Sequence, residues 1–418
     1  MLARMVVTPR LRVVVFLVLA TGLCLVFAGL AGAATGASLD GRATWRIELP
    51  AVSNARAGQV LRTAERLPGT PAFWQDQHGR GYVLHPDANG GGFLVVPEQR
   101  AGEVLRLRPG VGPKPEDMFV SVERAGDDLV VTSDGRRVLG AALEARLPDG
   151  ADPAFLRGGF VFPFFTPRGV PVIDAFPADH VHHVGIWTAW TDTTYKGAAL
   201  DFWNLRKRQG RVEFERLIDA VSGSGKGGFT TLLRATDIRD GASRDVLEER
   251  WRVSVHALPD AAWHAFDLDV LQINVSDAPL ELNEYRYGGL GVRGHRQWNG
   301  AGNARFLTSE GETDREKAHA TRMRWCWMGG TVDGATVGIA ILGHPENLRA
   351  PQPARVHPTE PFFCFAPVQL GAFAIAPGES HRMRFRFVAL DGEPDAALLD
   401  ALWAGYAADD ALVVQSGR

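Results

Sequence analysis

The sequence predicts an all-β fold: antiparallel sheets packed face to face as a β-sandwich, large enough to be a supersandwich, with a small N-terminal β domain and one C-terminal helix. Three observations carry this. Apolar and polar residues alternate with a period of two in several segments. The 418 residues include 47 Gly and 25 Pro, which punctuate the chain with turns. One segment alone, near the end, shows a helical repeat, and many strands with one late helix favour packed sheets.

The clearest alternation runs from Arg382 to Phe387, with Met383, Phe385 and Phe387 toward a core and Arg382, Arg384 and Arg386 toward water. Arg250 to Ala257 reads the same way, Trp251, Val253 and Val255 opposing Arg250, Arg252 and Ser254. Between them Phe266, Leu268 and Val270 share a face, and the apolar set then moves to Leu271, Ile273 and Val275. That shift predicts a bulge or a change of sheet near Leu271. The helix is expected where Leu398, Leu399, Leu402, Trp403 and Tyr406 recur, with Pro394 in its first turn. A Pro and Gly cluster, Pro109 to Pro115, reads as a linker. The domains expected are therefore 34–112, a small β-rich unit, and 113–408, the main sandwich, followed by a tail at 409–418. No repeat of 20 to 50 residues supports a propeller or solenoid.

Residues 1–33 stand apart. Arg4, Arg10 and Arg12 precede the uncharged 18-residue run Val13 to Leu30, and small residues end at Ala31-Gly32-Ala33. That order is a secretory signal with cleavage after Ala33, the alternative being an uncleaved membrane anchor. Leu23 beside Cys24 argues against a lipoprotein site. The chain is thus expected to be exported, periplasmic or extracellular, with no membrane insertion after cleavage. Removal of the signal changes 45 basic and 48 acidic residues to 42 and 48, a surface ill suited to nucleic acid. Cys326 and Cys364, each flanked by aromatics, could form one disulfide or remain two buried thiols.

The densest chemical signal is Asp179-His180-Val181-His182-His183-Val184-Gly185-Ile186-Trp187, with three of the chain's 12 histidines inside four positions. In an extended segment His180 and His182 would face one way and His183 the other. A His-x-His pair on a strand can hold a metal or serve a substrate as acid, base or hydrogen-bond donor. The plainer reading is a turn whose histidines bond to backbone. Trp187, Trp190 and Trp203 crowd together with Asp192 and Asp201 just downstream, and flat rings beside carboxylates suit sugars, although core packing also uses tryptophan. A second polar group, Asn283-Glu284-Tyr285-Arg286-Tyr287-Gly288-Gly289, leads to Arg293 and His295, and Glu284 is the carboxylate chosen as partner of the histidines. His344 and His357 are weaker candidates, being single loop histidines.

Several motifs together resemble the PmoA-like family of bacterial proteins of unknown function, which some descriptions label methane oxygenase PmoA. They are Phe162-Pro163-Phe164-Phe165-Thr166-Pro167-Arg168-Gly169, the histidine segment, Asp201-Phe202-Trp203, Tyr287-Gly288-Gly289-Leu290-Gly291, Gly330-Thr331-Val332-Asp333-Gly334, His344-Pro345 and Pro377-Gly378-Glu379. The likeness covers about residues 115 to 405. It implies a β-sandwich and a place in carbohydrate metabolism. A membrane methane monooxygenase subunit would need several apolar spans of about 20 residues, which the mature sequence lacks, so methane oxidation is set aside as a mechanism.

The leading expectation is an exported carbohydrate-active enzyme, an epimerase, lyase or hydrolase. His182, His183 and Glu284 would act in catalysis, and Asp179, Trp187, Trp190, Asp201, Trp203 and Arg293 would bind the substrate. Two alternatives stand beside it. One is a glycan-binding module that presents Trp187, Trp190 and Asp201. The other is an enzyme using a divalent metal on His180, His182 and His295.

Overall fold

The computed structural model describes residues 44–63, 70–87, 90–111, 118–258, 262–408 and 410–417. The expected signal segment, its cleavage site and most of the 109–115 linker lie outside them.

Strands dominate, and those of the main sheets pair antiparallel. Eight form one sheet in the order Gly210–Val221, Lys226–Asp237, Arg244–His256, Trp263–Asn274, Ser380–Asp391, Ala335–Gly343, Trp325–Val332, Arg305–Thr308. Nine form another, in the order Gly223–Ser224, Phe119–Ala125, Asp128–Ser133, Arg136–Ala142, Phe160–Phe164, Ile186–Ala189, Gly289–Arg293, Phe362–Phe365, Ala354–Val356. These two face each other across one buried cluster, with Phe164 on Phe266 (ring centroids 4.9 Å apart) and Phe365 on Phe385 (5.7 Å). The core follows from alternation: Trp251, Val253, Val255, Met383, Phe385 and Phe387 all point into it.

A seven-stranded sheet built from Thr44–Leu49, Arg56–Thr63, Phe73–Gln75, Gly81–Pro86, Gly92–Gln99 and Leu105–Pro109 also takes in Val414–Gly417. The segment read as a tail therefore carries a strand, which pairs antiparallel with Thr44–Leu49. This sheet encloses its own core around Ile47, Trp74, Tyr82, Leu94 and Leu107. A four-stranded sheet, Ala198–Leu200, Thr193–Tyr195, Leu280–Leu282 and Phe373–Ile375, completes the described set.

Three expectations are corrected. There is no bulge at Leu271: Trp263–Asn274 pairs without interruption on both sides, and its buried face continues through Gln272 and Asn274. The apolar pattern shifts because polar residues occupy the core there. Buried Glu249 accepts from Gln272 Nε2, Thr188 Oγ1 and Trp251 Nε1, while Gln272 Oε1 accepts from Trp190 Nε1 at 2.8 Å. The C-terminal helix spans Ala396–Ala407, capped by the Asp395 side chain, so Pro394 precedes the cap rather than sitting in the first turn. Leu399 and Leu402 of this helix cover Trp325, Trp327, Leu342 and Val388 on the outward side of the eight-stranded sheet. Arg386, expected in water, is buried beneath this cover with Asp267, donating also to Gly58 O at 2.8 Å.

Cys326 and Cys364 are free and buried in different sheets. Burial pushes both thiols up, that of Cys364 to about 12, which leaves them protonated and unreactive. Among the described residues no helix is long and apolar enough to cross a membrane.

Candidate functional site

Register brings the site together. Trp187 pairs with Gly291, Gly291 with Cys364, and Cys364 with Arg355, a row across four strands of the nine-stranded sheet. The next row places Arg293 opposite Phe362, and His357 follows because its N–H donates to Phe362 O at 3.1 Å. Period-two alternation puts these side chains on the face away from the sandwich core, while Thr188, Val292, Phe363 and Phe365 point inward. Gly291 is required by close approach: a Cβ there would lie 2.7 Å from both the Trp187 and Trp203 rings.

The histidine segment covers this face, and it is a pair of turns, not a strand. His180 N–H donates to Pro177 O (3.0 Å) and His183 N–H to His180 O (2.8 Å). The extended His-x-His arrangement is thereby corrected: the i and i+3 rings of His180 and His183 stack at 4.8 Å, with His182 edge-on to His183 at 4.6 Å. His183 lies in turn on Phe362 (4.7 Å) and Trp187 (5.1 Å), and His357 stands 6.0 Å from His180.

Arg293, fully buried, organises the polar groups. Its Nη2 donates to both Asp179 oxygens (3.0 and 2.8 Å), to Asn299 Oδ1 (2.6 Å) and to Glu360 Oε2 (3.3 Å). Asp179 Oδ2 also accepts from His180 Nδ1 at 2.8 Å. A carboxylate only accepts and a guanidinium only donates, so the tautomers follow. His180 carries its proton on Nδ1 and leaves Nε2 as acceptor. His183 Nδ1 faces Arg293 Nη1 at 3.4 Å and accepts, so the proton is on Nε2. His357 Nδ1 accepts from Thr359 N–H (3.3 Å) and Glu360 N–H (3.0 Å), with the same result.

The electrostatics reinforce this. Burial pushes Asp179 up, but the hydrogen bonds from His180 and Arg293 and the guanidinium charge outweigh it and hold the carboxyl well below its ordinary range. Burial, then the neighbouring His180, lowers His182 to about 4. Burial, then Arg355, lowers His357 to about 4. His183 is held well below its ordinary value by burial, then by His182 and Arg293. These three imidazoles are neutral near pH 7.

The other expected residues fall in distinct places. Trp187, Trp190 and Trp203 are each at most 2% exposed, so none offers a stacking surface, and Trp187 and Trp203 form a floor. Trp190 lies on the core side, bonded to Gln272. Asp201 is buried and accepts from the backbone of Trp203 (2.8 Å) and Asn204 (2.9 Å), and Asn204 Oδ1 in turn accepts from Tyr287 OH at 3.0 Å. Glu284 is exposed, just beyond Leu280–Leu282, and no hydrogen bond or ion pair joins it to a histidine among the described residues. The carboxylates beside the histidines are Asp179 and Glu360. His295 caps the short turn Arg296–Trp298, accepting from Gln297 N–H at 3.3 Å and lying against Trp298. It does not join His180 and His182, and among the described residues no three His, Cys, Asp or Glu side chains are grouped to hold a metal ion. Sequence reasoning missed Glu360, Phe362 and Asn299, and ranked His357 too low. The cluster His357-Pro358-Thr359-Glu360-Pro361-Phe362 carried the available signal.

Residues 128–404 match the family of unknown function DUF6807, and the chain belongs to it. The matched span follows the one expected from the sequence motifs, but nothing in the family's description carries the methane-oxygenase label. No curated protein matches the chain. Similar solved structures include an aldose 1-epimerase candidate from Escherichia coli K12, 12% identical with a TM-score of 0.30, covering 66% of this chain and 100% of that one. A protein from Synechocystis sp. PCC 6803 is 10% identical with a TM-score of 0.30, covering 68% and 99%. A second aldose 1-epimerase candidate, from Klebsiella pneumoniae, is 11% identical with a TM-score of 0.28, covering 85% and 97%. At this level of similarity the site's own chemistry, not a neighbour's name, decides what the chain can do.

Proposed function

We propose that this DUF6807 chain is an exported carbohydrate-active enzyme that moves a proton on a sugar through the Asp179–His180 pair. The observation that carries the reading is a half-exposed imidazole, 34% accessible, whose Nδ1–H is held by Asp179 so that Nε2 is left as acceptor. A carboxylate in this position fixes the tautomer and stabilises the imidazolium formed when Nε2 takes a proton. Neutral His182 and His357 beside it can donate hydrogen bonds to a sugar oxygen as negative charge develops there, which a protonated ring would do at greater cost in a buried site. Catalysis thus centres on His180, with His182 and His357 as donors and His183 as the buried ring that supports them.

The same geometry orders the reaction classes. Hydrolysis by two carboxylates needs one free acid and one free base, whereas Asp179 and Glu360 are both engaged by Arg293. Epimerisation or elimination, which needs one proton acceptor and stabilisation of an oxyanion, fits better. The binding-module alternative needs presented aromatic faces, and the buried Trp187 and Trp190 do not supply them.

The test is proton NMR of the mature protein with a panel of aldoses, uronates and oxidised glycosides in D2O, with and without a chelator to read metal dependence. Solvent deuterium should enter one sugar position, or an unsaturated product should form, and His180→Gln should lower the rate about 100-fold or more. Equal rates in the wild type and His180→Gln, or no change in any sugar, would remove the proposal.

A further inference from the structure

Beside the imidazoles stands a cationic group that meets no counter-charge among the described residues. Arg355 shares the site face with Cys364 and lies two residues before His357 on the same strand edge. Its Nη1 is 3.4 Å from His319 Nε2, an acceptor in that contact. Arg286 lies over Tyr285 (5.7 Å) and Tyr287 (5.6 Å), and Tyr287 packs on Trp203 at 5.3 Å. The loop that carries Arg286 is pinned by Gln369 Nε2 donating to Arg286 O at 2.7 Å. Among the described residues neither guanidinium meets a carboxylate. Arg234, Arg239 and Arg386, by contrast, each meet a carboxylate, Glu215, Asp237 and Asp267 respectively.

Arg355 is partly buried and Arg286 exposed, so burial weighs on Arg355, and the like charge of Arg286 adds to that cost. Burial and then Arg286 both lower Arg355, as expected of neighbours without an acid between them. A negative group arriving with a ligand would offset both the burial of Arg355 and its repulsion from Arg286. The chain as a whole has more acids than bases, so this patch runs against the overall balance.

We infer that the substrate carries an anionic oxygen group and that Arg355 and Arg286 receive it while the sugar ring reaches His180 and His357. This rests on the proposed sugar chemistry and names its substrate class: a uronic acid, or a phosphate or sulfate ester of a sugar. Planar guanidinium forks suit all three.

The experiment is tryptophan-fluorescence titration of the mature protein with matched sets: glucose, glucuronate, glucose 6-phosphate and glucose 6-sulfate, and the corresponding galactose series. One anionic class should bind about tenfold or more tighter than its neutral parent, the worth of a charge-assisted pair. Which class wins separates a carboxylate from an ester. In Arg286→Gln/Arg355→Gln the ratio should collapse toward one, whereas Arg355→Lys should keep part of it. Thermal unfolding checks that the variants fold. Equal affinity for neutral and anionic sugars, or a preference that survives the double substitution, overturns the inference. Turnover of neutral sugars without any anionic preference would overturn it and leave the proposed function standing. Anionic binding without turnover would do the reverse, and binding of no sugar would overturn both.

Discussion

Replacing Arg293 with methionine is expected to cost about 3–5 kcal/mol of folding stability, the usual loss when one partner of a buried charge pair is removed. Arg293 is wholly inaccessible, and its Nη2 serves Asp179, Asn299 and Glu360 together. Without it Asp179 and Glu360 would lie beside each other with no cation between them. Adding Glu360→Gln to Arg293→Met should recover part of the loss, because one of the two charges is then gone. Urea unfolding of the two variants and the wild type measures both effects. A loss below about 1 kcal/mol, within the range of an exposed pair, would show that Arg293 does not organise the site.

Acidification from pH 6.5 to 4 is expected to destabilise the protein strongly through the same residues. His182 titrates near 4 when folded and near its ordinary value of 6.5 when unfolded, so the unfolded chain takes the proton first. Stability is therefore complete above pH 6.5, falls through this window, and levels off for this group below pH 4. The loss is on the order of 3 kcal/mol for His182, since each unit of difference is worth about 1.4 kcal/mol. His183, also held well below its ordinary value by burial, acts in the same direction. Asp179 adds a loss below the ordinary carboxylate range, because its folded form resists protonation. Unfolding midpoints at pH 7, 5.5 and 4 should show the decline, and His182→Gln should flatten it. An unchanged slope in that variant would contradict the neutral, buried assignment.

The sandwich was legible because its core strands obey period two, as in Arg244–His256 and Ser380–Asp391. The rule failed at Leu271, where Gln272 occupies the core to satisfy Glu249 and Trp190, and polarity alone cannot tell a bonded core amide from a surface one. In the site, the histidine cluster and Arg293 were visible as residue types, but their arrangement was not. Two turns replace the expected strand, so the i and i+3 rings stack. Glu284 looked close in sequence to Arg293, whereas Glu360 reaches it because the Gly289–Arg293 strand pairs with Phe362–Phe365. That pairing joins segments some 70 residues apart, and no spacing rule reports it. The tryptophans read as a binding surface, yet register places Trp187 over Gly291 and shuts it beneath His183 and Trp203.

The central claim is that sugar meets protein at His180, with neutral His182 and His357 beside it. Histidine side-chain NMR on the 15N-labelled protein at pH 7 tests this most directly. Before ligand is added, His180 should show its proton on Nδ1, His183 and His357 theirs on Nε2, and His182 should be neutral. On titration with a sugar the protein binds, the ring nitrogens of His180, His182 and His357 should shift together. Those of His85 and His264, which bond to Ser224 and to Phe165 O elsewhere, should stay in place. Saturable sugar binding that leaves all three site imidazoles unmoved, or that shifts other histidines instead, would contradict the account.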